Sequence, residues 1–376
     1  MDTAQYLKDL RELCRIDSGR GCVAGTAAMA EWFAGKYAAL GFHTERVLPE
    51  GREDAPILLV TAEEGGREEP IDVLFLAHMD TVFDTETVEG WPFTVDEEGI
   101  GHGPGCVDCK GGCLLVYYLL KALKAEGRLG FRFCVVMNSD EERGSVYSHR
   151  LIEELAQRTS YCLVFEPGRA RKEFVGVRKG CSHYLLKAHG IAAHVGADFE
   201  KGANAVSELA RWIPELEKLT ELERGTALAI VQFSGGQDNG QVPDYAELRF
   251  QLRYLEPEAL DRLEALLERI RQTPFDPRCR IEAVDLGDAK PPMFLNDNSR
   301  KLLAALEEAG RAVACPTEWL TTGGSSDGNW VACYGVGTLD GCGPCGGNLH
   351  TRQEYLITES IEERFLVMKE LLRRLF

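Results

Sequence analysis

The sequence lacks any apolar stretch that approaches the roughly 20 residues of a membrane-spanning helix. It also lacks internal repeats and low-complexity segments. Residues 1–6 predict the start of an amphipathic helix rather than a signal peptide. We therefore expect a cytoplasmic protein with no membrane partner.

Basic residues are in the minority, with 42 Lys and Arg against 60 Asp and Glu and a net charge of -18. Because proteins meet the phosphate backbone with basic patches, no nucleic-acid partner is expected. The 13 cysteines are an odd number and follow no secretion signal, which indicates reduced thiols. The proportions of hydrophobic and charged residues are those of a globular protein. A chain of 376 residues is long enough for about two domains.

The order of the predicted elements divides the chain. Up to residue 165, strands alternate with helices, which predicts an α/β fold with a mostly parallel sheet flanked by helices. From residue 173 the pattern changes: 173–177 and 182–188 are predicted to pair, and the β and α segments that follow predict an α+β, ferredoxin-like sandwich. We therefore predict a domain of residues 178–288 inserted into a domain formed by 1–177 and 289–376.

Polar side chains stand where several predicted strands end. An apolar strand ends in His78, and Asp80 follows it. In parallel sheets, ligands bind beyond the carboxyl ends of the strands. The other residues of this kind are Asp108 in a glycine-rich turn, Glu141 and Glu142 after the strand that ends at Met137, and Glu166 after the strand that ends at Phe165.

These carboxylates would be crowded around one histidine. Such crowding is costly unless cations neutralise the charge. Imidazole and carboxylate ligands with an open position suit catalytic zinc. The sequence therefore predicts a divalent metal site.

The motifs, in this order, resemble the M20 family of zinc aminoacylases and peptidases, and most of all its carboxypeptidase G2 branch. The resemblance covers nearly the whole chain. The segments that carry it are His78-Met79-Asp80-Thr81, Gly103-Pro104-Gly105 with Asp108 and Lys110-Gly111-Gly112, Asp140-Glu141-Glu142, Phe165-Glu166-Pro167, His194 and His350.

The resemblance implies two zinc ions per subunit, with Co²⁺ or Mn²⁺ as alternatives. By that resemblance, His78 and Glu166 hold one ion, Glu142 and His350 hold the other, and Asp108 bridges them. Glu141 is then the general base and Asp80 orients His78. The resemblance also implies a cis peptide between Asp108 and Cys109.

The inserted domain resembles a family lid that forms a homodimer. In it, His194 matches a histidine that stabilises the oxyanion in the partner's active site. Arg253 and the loop of Gly323, Gly324 and Ser325 match groups that hold a substrate carboxylate. The chain departs from the family pattern at Gly240, where relatives have asparagine.

The sequence thus predicts a dizinc hydrolase that cleaves a peptide or N-acyl amide bond beside a free carboxylate. Deacylation of N-acyl amino acids is the alternative within the family. Outside it, residues 324–328 fit the serine hydrolase pattern G-x-S-x-G, with Ser326 followed by Asp340 and His350, although no helix is predicted at Asp327. A non-catalytic alternative is a thiol metal or redox site formed by Cys106, Cys109, Cys342 and Cys345.

Overall fold

The structure, a computed structural model, describes residues 1–169, 172–287 and 289–376. The helices are α1 (Thr3–Cys14), α2 (Val23–Ala39), α3 (Lys110–Ala125), α4 (His149–Ala156), α5 (Ala205–Glu217), α6 (Glu258–Gln272), α7 (Asp297–Ala312), α8 (Gly328–Ala332) and α9 (Thr358–Leu375). The strands are β1 (His43–Val47), β2 (Ile57–Thr61), β3 (Ile71–His78), β4 (Thr94–Val95), β5 (Ile100–His102), β6 (Phe133–Asn138), β7 (Thr159–Val164), β8 (Glu173–Arg178), β9 (Gly180–His189), β10 (Ala227–Gly235), β11 (Tyr245–Tyr254), β12 (Arg280–Asp285), β13 (Glu318–Thr322), β14 (Gly337–Leu339), β15 (Gly346–Gly347) and β16 (Tyr355–Ile357).

The chain forms two compact units. The first unit comprises Met1–Val177, Met293–Thr322 and Ser326–Phe376. The second unit comprises Arg178–Pro292 and Gly323–Ser325. No helix among the described residues combines the length and the apolar character needed to cross a membrane.

The main sheet of the first unit has the strand order β1-β2-β6-β3-β7-β14. Strands β6, β3, β7 and β14 run parallel, and β1 and β2 add an antiparallel edge. The predicted α/β fold with a mostly parallel sheet between helices is thereby confirmed. Because β6, β3 and β7 are parallel neighbours, their carboxyl ends lie at the same edge of the sheet.

Strand β3 is buried on both faces, as its apolar sequence predicted. Val73 and Phe75 belong to the core that includes residues of α1, α3 and α9. Leu74 and Leu76 belong to the core on the opposite face, with residues of α4. Each such side chain contributes about 1.5–3 kcal/mol when it is fully buried. This packing fixes the position of His78, the last residue of the strand.

The second unit contains an antiparallel sheet with the order β10-β11-β9-β12. Along β11, alternate residues such as Leu248 and Phe250 are buried against α5 and α6, including Leu209 and Leu263. The other face of the sheet is more exposed. This α+β arrangement matches the predicted class, and β10 forms one edge of the sheet.

Two sequence predictions about these elements are wrong. Strand β8 pairs with β13 instead of β9, because both edges of β9 are already occupied by β11 and β12. The sequence predicts that Thr358 or Ser360 caps the closing helix α9, but neither side chain does so. Their hydroxyls donate instead to backbone carbonyls, that of Gly99 at 2.7 Å and that of Ile357 at 2.6 Å.

Candidate metal centre

The parallel strands bring the predicted ligands to one edge of the main sheet. His78 ends β3, Glu142 follows β6 in a short turn, and Glu166 comes two residues after the end of β7. Asp108 precedes α3, and His350 lies in the turn between β15 and β16.

Asp108 stands between two histidines. Its Oδ1 lies 3.2 Å from Nε2 of His78, and its Oδ2 lies 3.4 Å from Nε2 of His350. Glu166 Oε1 is 3.5 Å from Nε2 of His78, and Glu142 Oε2 is 3.4 Å from Nε2 of His350. The five side chains therefore form two adjacent groups that share one carboxylate.

Asp80 links the imidazole of His78 to the neighbouring turn. Its Oδ1 lies 3.4 Å from Nδ1 of His78, and its carboxylate accepts the backbone N–H groups of Glu141 at 3.3 Å and Glu142 at 3.0 Å. With Nδ1 engaged in this way, Nε2 is the nitrogen that faces Asp108 and Glu166. Glu141 lies on the same side, with a carboxylate oxygen within 4.8 Å of ligand atoms of His78 and Glu166.

The site contains more buried carboxylates than positively charged groups. Burial, together with the charge of Asp108, raises the pKa of Glu142 well above its usual value. Burial also raises the pKa of Glu166, although the nearby His78 opposes this. Burial alone would lower the pKa of His78, but hydrogen bonds with Asp108 and Asp80 outweigh it and raise this pKa well above 6.5. Excess negative charge in a buried site is relieved by bound metal ions.

The donor set fits divalent metal ions. His78, Asp108 and Glu142 offer ligand atoms within 4.8 Å of one another, and so do His78, Glu141 and Glu166. Imidazole nitrogens and carboxylate oxygens are ligands that zinc and related divalent ions accept. A carboxylate shared by two histidine-containing groups suits a pair of such ions.

Glycines and a cysteine allow α3 to approach the end of β7. A Cβ on Gly112 would lie 2.0 Å from the carbonyl oxygen of Phe165, so a side chain cannot be accommodated there. The Cys109 thiol donates to that same carbonyl at 3.0 Å. The peptide between Asp108 and Cys109 is cis, as the family resemblance implied. Asp108 and Glu166 are thus held by contacting backbone segments.

Glu354 is a buried residue of the site that the sequence analysis did not identify. Its Oε2 accepts the N–H of Gly105 at 3.0 Å, and its Oε1 accepts those of Val107 at 2.9 Å and Asp108 at 3.1 Å. Burial and the charge of Asp108 raise the pKa of Glu354 to about 7. Its contacts span about 250 residues of sequence, and the one local signal is its position four residues after His350.

The geometry does not support the serine hydrolase alternative. Ser326 is 1% exposed, and its hydroxyl bonds to Asp340 and accepts the N–H of Gly328. His350, the third member of that alternative, pairs with Asp108 and Glu142. A short helix, α8, does begin after Asp327, so the prediction of no helix there is wrong.

The four cysteines of the non-catalytic alternative lie in separate surroundings. The Cys106 thiol faces the carbonyl of Gly101 at 3.9 Å, and that of Cys342 faces the carbonyl of Leu339 at 3.5 Å. The Cys345 sulfur accepts N–H groups of the buried Arg364 at 3.2 and 3.3 Å. Within the described ranges, the groups of three or more possible metal ligands contain only histidine and carboxylates. A four-thiolate metal site is therefore not found there.

The remaining predicted residues belong to the second unit. His194 is exposed, and its Nδ1 accepts the N–H groups of Gly196 and Ala197 at 3.1 Å each, so Nε2 is the ring nitrogen that can donate. Arg253 lies on β11, opposite Cys181 of β9. The loop Gly323–Ser325 is also part of this unit. Their roles stay predictions.

Comparison with known proteins shows the family. The model of the family described as "Peptidase family M20/M25/M40" matches residues 74–374. Carboxypeptidase G2 from Pseudomonas sp. (strain RS-16) is 27% identical over 373 residues, which are 97% of this chain and 88% of that protein. A succinyl-diaminopimelate desuccinylase from a Nitratiruptor species is 25% identical over 319 residues, 80% of this chain and 83% of that protein.

Solved structures show the same fold. A tripeptidase from Staphylococcus aureus subsp. aureus Mu50 superimposes with a TM-score of 0.84 at 20% identity, covering 100% of this chain and 99% of that one. A dinuclear metal-binding peptidase of the M20 family from Bacillus subtilis superimposes with a TM-score of 0.68 at 14% identity, covering 100% and 99%.

Proposed function

Because the chain belongs to peptidase family M20/M25/M40, and is therefore a metal-dependent hydrolase, we propose that it uses two zinc ions to cleave a peptide or N-acyl amide bond beside a free carboxylate. The observation that carries this proposal is the position of Asp108, whose two oxygens face two different histidines. Co²⁺ and Mn²⁺ suit the same carboxylate-rich ligands and are the alternative ions.

Five side chains would hold the ions. His78 and Glu166 would bind one, Glu142 and His350 the other, and Asp108 would bridge the two. When bound, such ions polarise the scissile carbonyl and lower the pKa of water to about 7.

Glu141 is the proposed general base. It would accept the proton of the attacking water and later donate that proton to the leaving amine. Glu141 also lies close enough to His78 and Glu166 to be considered a ligand. We assign it as the base because His78, Glu166 and Asp108 already supply three ligands, and a catalytic site keeps one position open.

Residues of the second unit would bind the rest of the substrate. Arg253 and the backbone N–H groups of Gly323, Gly324 and Ser325 would hold the free carboxylate. His194, whose Nε2 is free to donate, would stabilise the oxyanion in the active site of a partner subunit. Residues 178–288 would then act as a lid and dimerisation domain.

The surface of the second unit supports a homodimer. Strand β10 lies at the edge of its sheet, and no strand among the described residues pairs with its outer row of backbone N–H and C=O groups. Val231 and Phe233 on this strand are 52% and 40% exposed. We propose that a second copy of the chain covers this edge.

Names of two relatives support the two candidate reactions. The name carboxypeptidase supports cleavage of a C-terminal peptide bond as the reaction of this chain, and the name desuccinylase supports removal of an acyl group. The higher identity and coverage of the carboxypeptidase make peptide cleavage the first candidate and deacylation of an N-acyl amino acid the alternative.

A small substrate panel tests this proposal. We expect a peptide with a free C-terminal carboxylate to be cleaved with a kcat/KM on the order of 100-fold above that of its C-terminal amide, because loss of one charged partner in a buried pair costs about 2–5 kcal/mol. The matching N-acyl amino acid distinguishes deacylation from peptide cleavage. Equal rates for the free peptide and its amide would contradict the carboxylate requirement.

A further inference from the structure

Glu354 has no part in the reaction proposed above, yet its carboxylate is one of the most enclosed in the first unit. The residue is 1% exposed, and it receives three backbone N–H groups from the turn that carries Asp108. A carboxylate bound by several N–H groups forms strong, directional hydrogen bonds. The turn is therefore fixed to Glu354 at three points.

The same residue also holds the segment of a second predicted ligand. His350 lies four residues before Glu354, in the stretch between β15 and β16. Glu354 thus joins two chain segments, residues 105–108 and 350–354, each of which carries a ligand of the centre. We propose that Glu354 is a positioning residue that sets the distance between the shared carboxylate and His350. This inference rests on the proposed two-ion centre.

The two halves of the centre differ in how strongly they depend on this link. His78 is the last residue of a buried strand, and Asp80 fixes its ring. His350 lies in a turn, has a left-handed backbone with a φ of 64°, and its side chain is 56% exposed. Glu354 therefore matters most for the ion held by His350 and Glu142, and least for the ion held by His78 and Glu166.

Two substitutions of Glu354 remove different numbers of its hydrogen bonds to the turn. In Glu354→Gln, the amide oxygen can still accept two of the three N–H groups. The amide NH₂ faces the third N–H group and cannot accept it, so one hydrogen bond is lost. In Glu354→Ala, all three N–H groups lose their acceptor. Substitution of residues that orient metal ligands weakens metal binding by about 10- to 100-fold. We expect the glutamine variant near the lower value and the alanine variant near the higher one.

Glu208 provides a matched control. It is also 1% exposed, and it also accepts three N–H groups, those of Phe275 and Asp276 at 2.8 Å and of Trp212 Nε1 at 3.0 Å. It lies in the second unit, outside the predicted ligand set. Glu208→Gln should therefore reproduce the general cost of changing a buried carboxylate without changing the affinity for metal.

The experiment is a Zn²⁺ titration of metal-free wild-type protein and of the three variants, against a competing chelator. Circular dichroism verifies that each variant is folded, and Glu354→Gln carries the test if the alanine variant is not. We expect two binding steps in the wild type and in Glu208→Gln. In the Glu354 variants we expect the ion held by His350 and Glu142 to bind about 10- to 100-fold more weakly. The ion held by His78 and Glu166 should be affected less, because it shares only Asp108 with the segments that Glu354 joins.

The outcomes separate the two proposals. Two steps of wild-type affinity in Glu354→Gln would overturn the positioning role and leave the two-ion centre intact. Equal weakening of both steps in Glu354→Gln would also overturn it, because the link would then not be specific to the His350 half. A single step in the wild-type protein would instead contradict the two-ion centre itself.

Discussion

Glu141 and Glu142 are neighbours in the chain, and Asp80 accepts the backbone N–H of both. Their side chains nevertheless belong to different groups. Glu142 faces His350, and Glu141 lies near His78 and Glu166. This difference allows one carboxylate to bind metal while the other transfers a proton.

Substitution of each glutamate by glutamine tests this division. We expect Glu141→Gln to retain bound metal and to lose about 10²- to 10⁴-fold in kcat, because the amide cannot accept the proton of the attacking water. Glu142→Gln should weaken metal binding. Metal content and kcat, measured on both variants, check the assignment.

A Glu141→Gln variant with wild-type kcat, or one that loses metal as Glu142→Gln does, would show that Glu141 is not the base.

Ser326 provides a test of the serine hydrolase alternative. Its hydroxyl is buried and bonds to Asp340. We expect Ser326→Ala to keep kcat within about twofold and to lose about 1–3 kcal/mol in the free energy of unfolding, because the hydroxyl's buried partners, Asp340 and the N–H of Gly328, each lose one hydrogen bond. Steady-state kinetics and thermal unfolding measure these two quantities. Loss of all activity in a folded variant would support a nucleophilic serine.

Functional residues could be predicted where the neighbouring sequence indicates them. His78 and Glu166 were identifiable because each follows an apolar run that could be recognised as a buried strand. Glu354 was not, because its role depends on contacts with residues about 250 positions earlier. Nothing in the sequence around Glu354 indicates those partners.

At the level of elements, the long helices and the central strands were predictable from the pattern of apolar residues, whereas the five-residue helix α8 was not. Strands β2, β3, β6 and β7 each contain a run of buried apolar residues, and α3 has a regular apolar face. Pairing was less predictable. Strand β8 was expected beside β9. The sequence of a strand does not determine which of several exposed sheet edges it will join. The short strands β4, β5, β15 and β16 carry too few residues for a pattern.

The exposed edge of β10 carries the prediction of a dimer. We expect Phe233→Lys to convert a dimer into a monomer, because a charged side chain on an edge strand opposes pairing with another strand. Light scattering after size-exclusion chromatography measures the mass of each species. Leu222, 73% exposed and outside β10, supplies the control variant Leu222→Lys.

A Phe233→Lys variant of unchanged mass would place the interface elsewhere, and a monomeric wild-type protein would contradict the dimer. Loss of the dimer in the Leu222→Lys control would show that the effect of charge is not specific to the strand.

In the whole molecule, distant parts of the chain meet in one site, and we propose that two divalent ions complete it. Residues 78, 108, 142, 166 and 350 all contribute side chains to it. The fold class was predictable, and strand ends and ordered motifs indicated these residues, whose role as metal ligands stays a prediction. The turn contacts that hold these residues together were not predictable.

Ions that bind the folded chain and not the unfolded one stabilise it by mass action, by about 2.7 kcal/mol at a concentration 100 times the Kd. Removal of metal should therefore lower the unfolding temperature together with the activity, and both should return with Zn²⁺.

The most direct measurement is the metal content per chain of protein purified without added metal or chelator, with amide hydrolysis followed through EDTA treatment and zinc restoration. We expect about two ions per chain, as in two-metal hydrolases, with activity lost on chelation and recovered on restoration. Activity that persists after complete removal of metal would rule out the metal-dependent reaction proposed here.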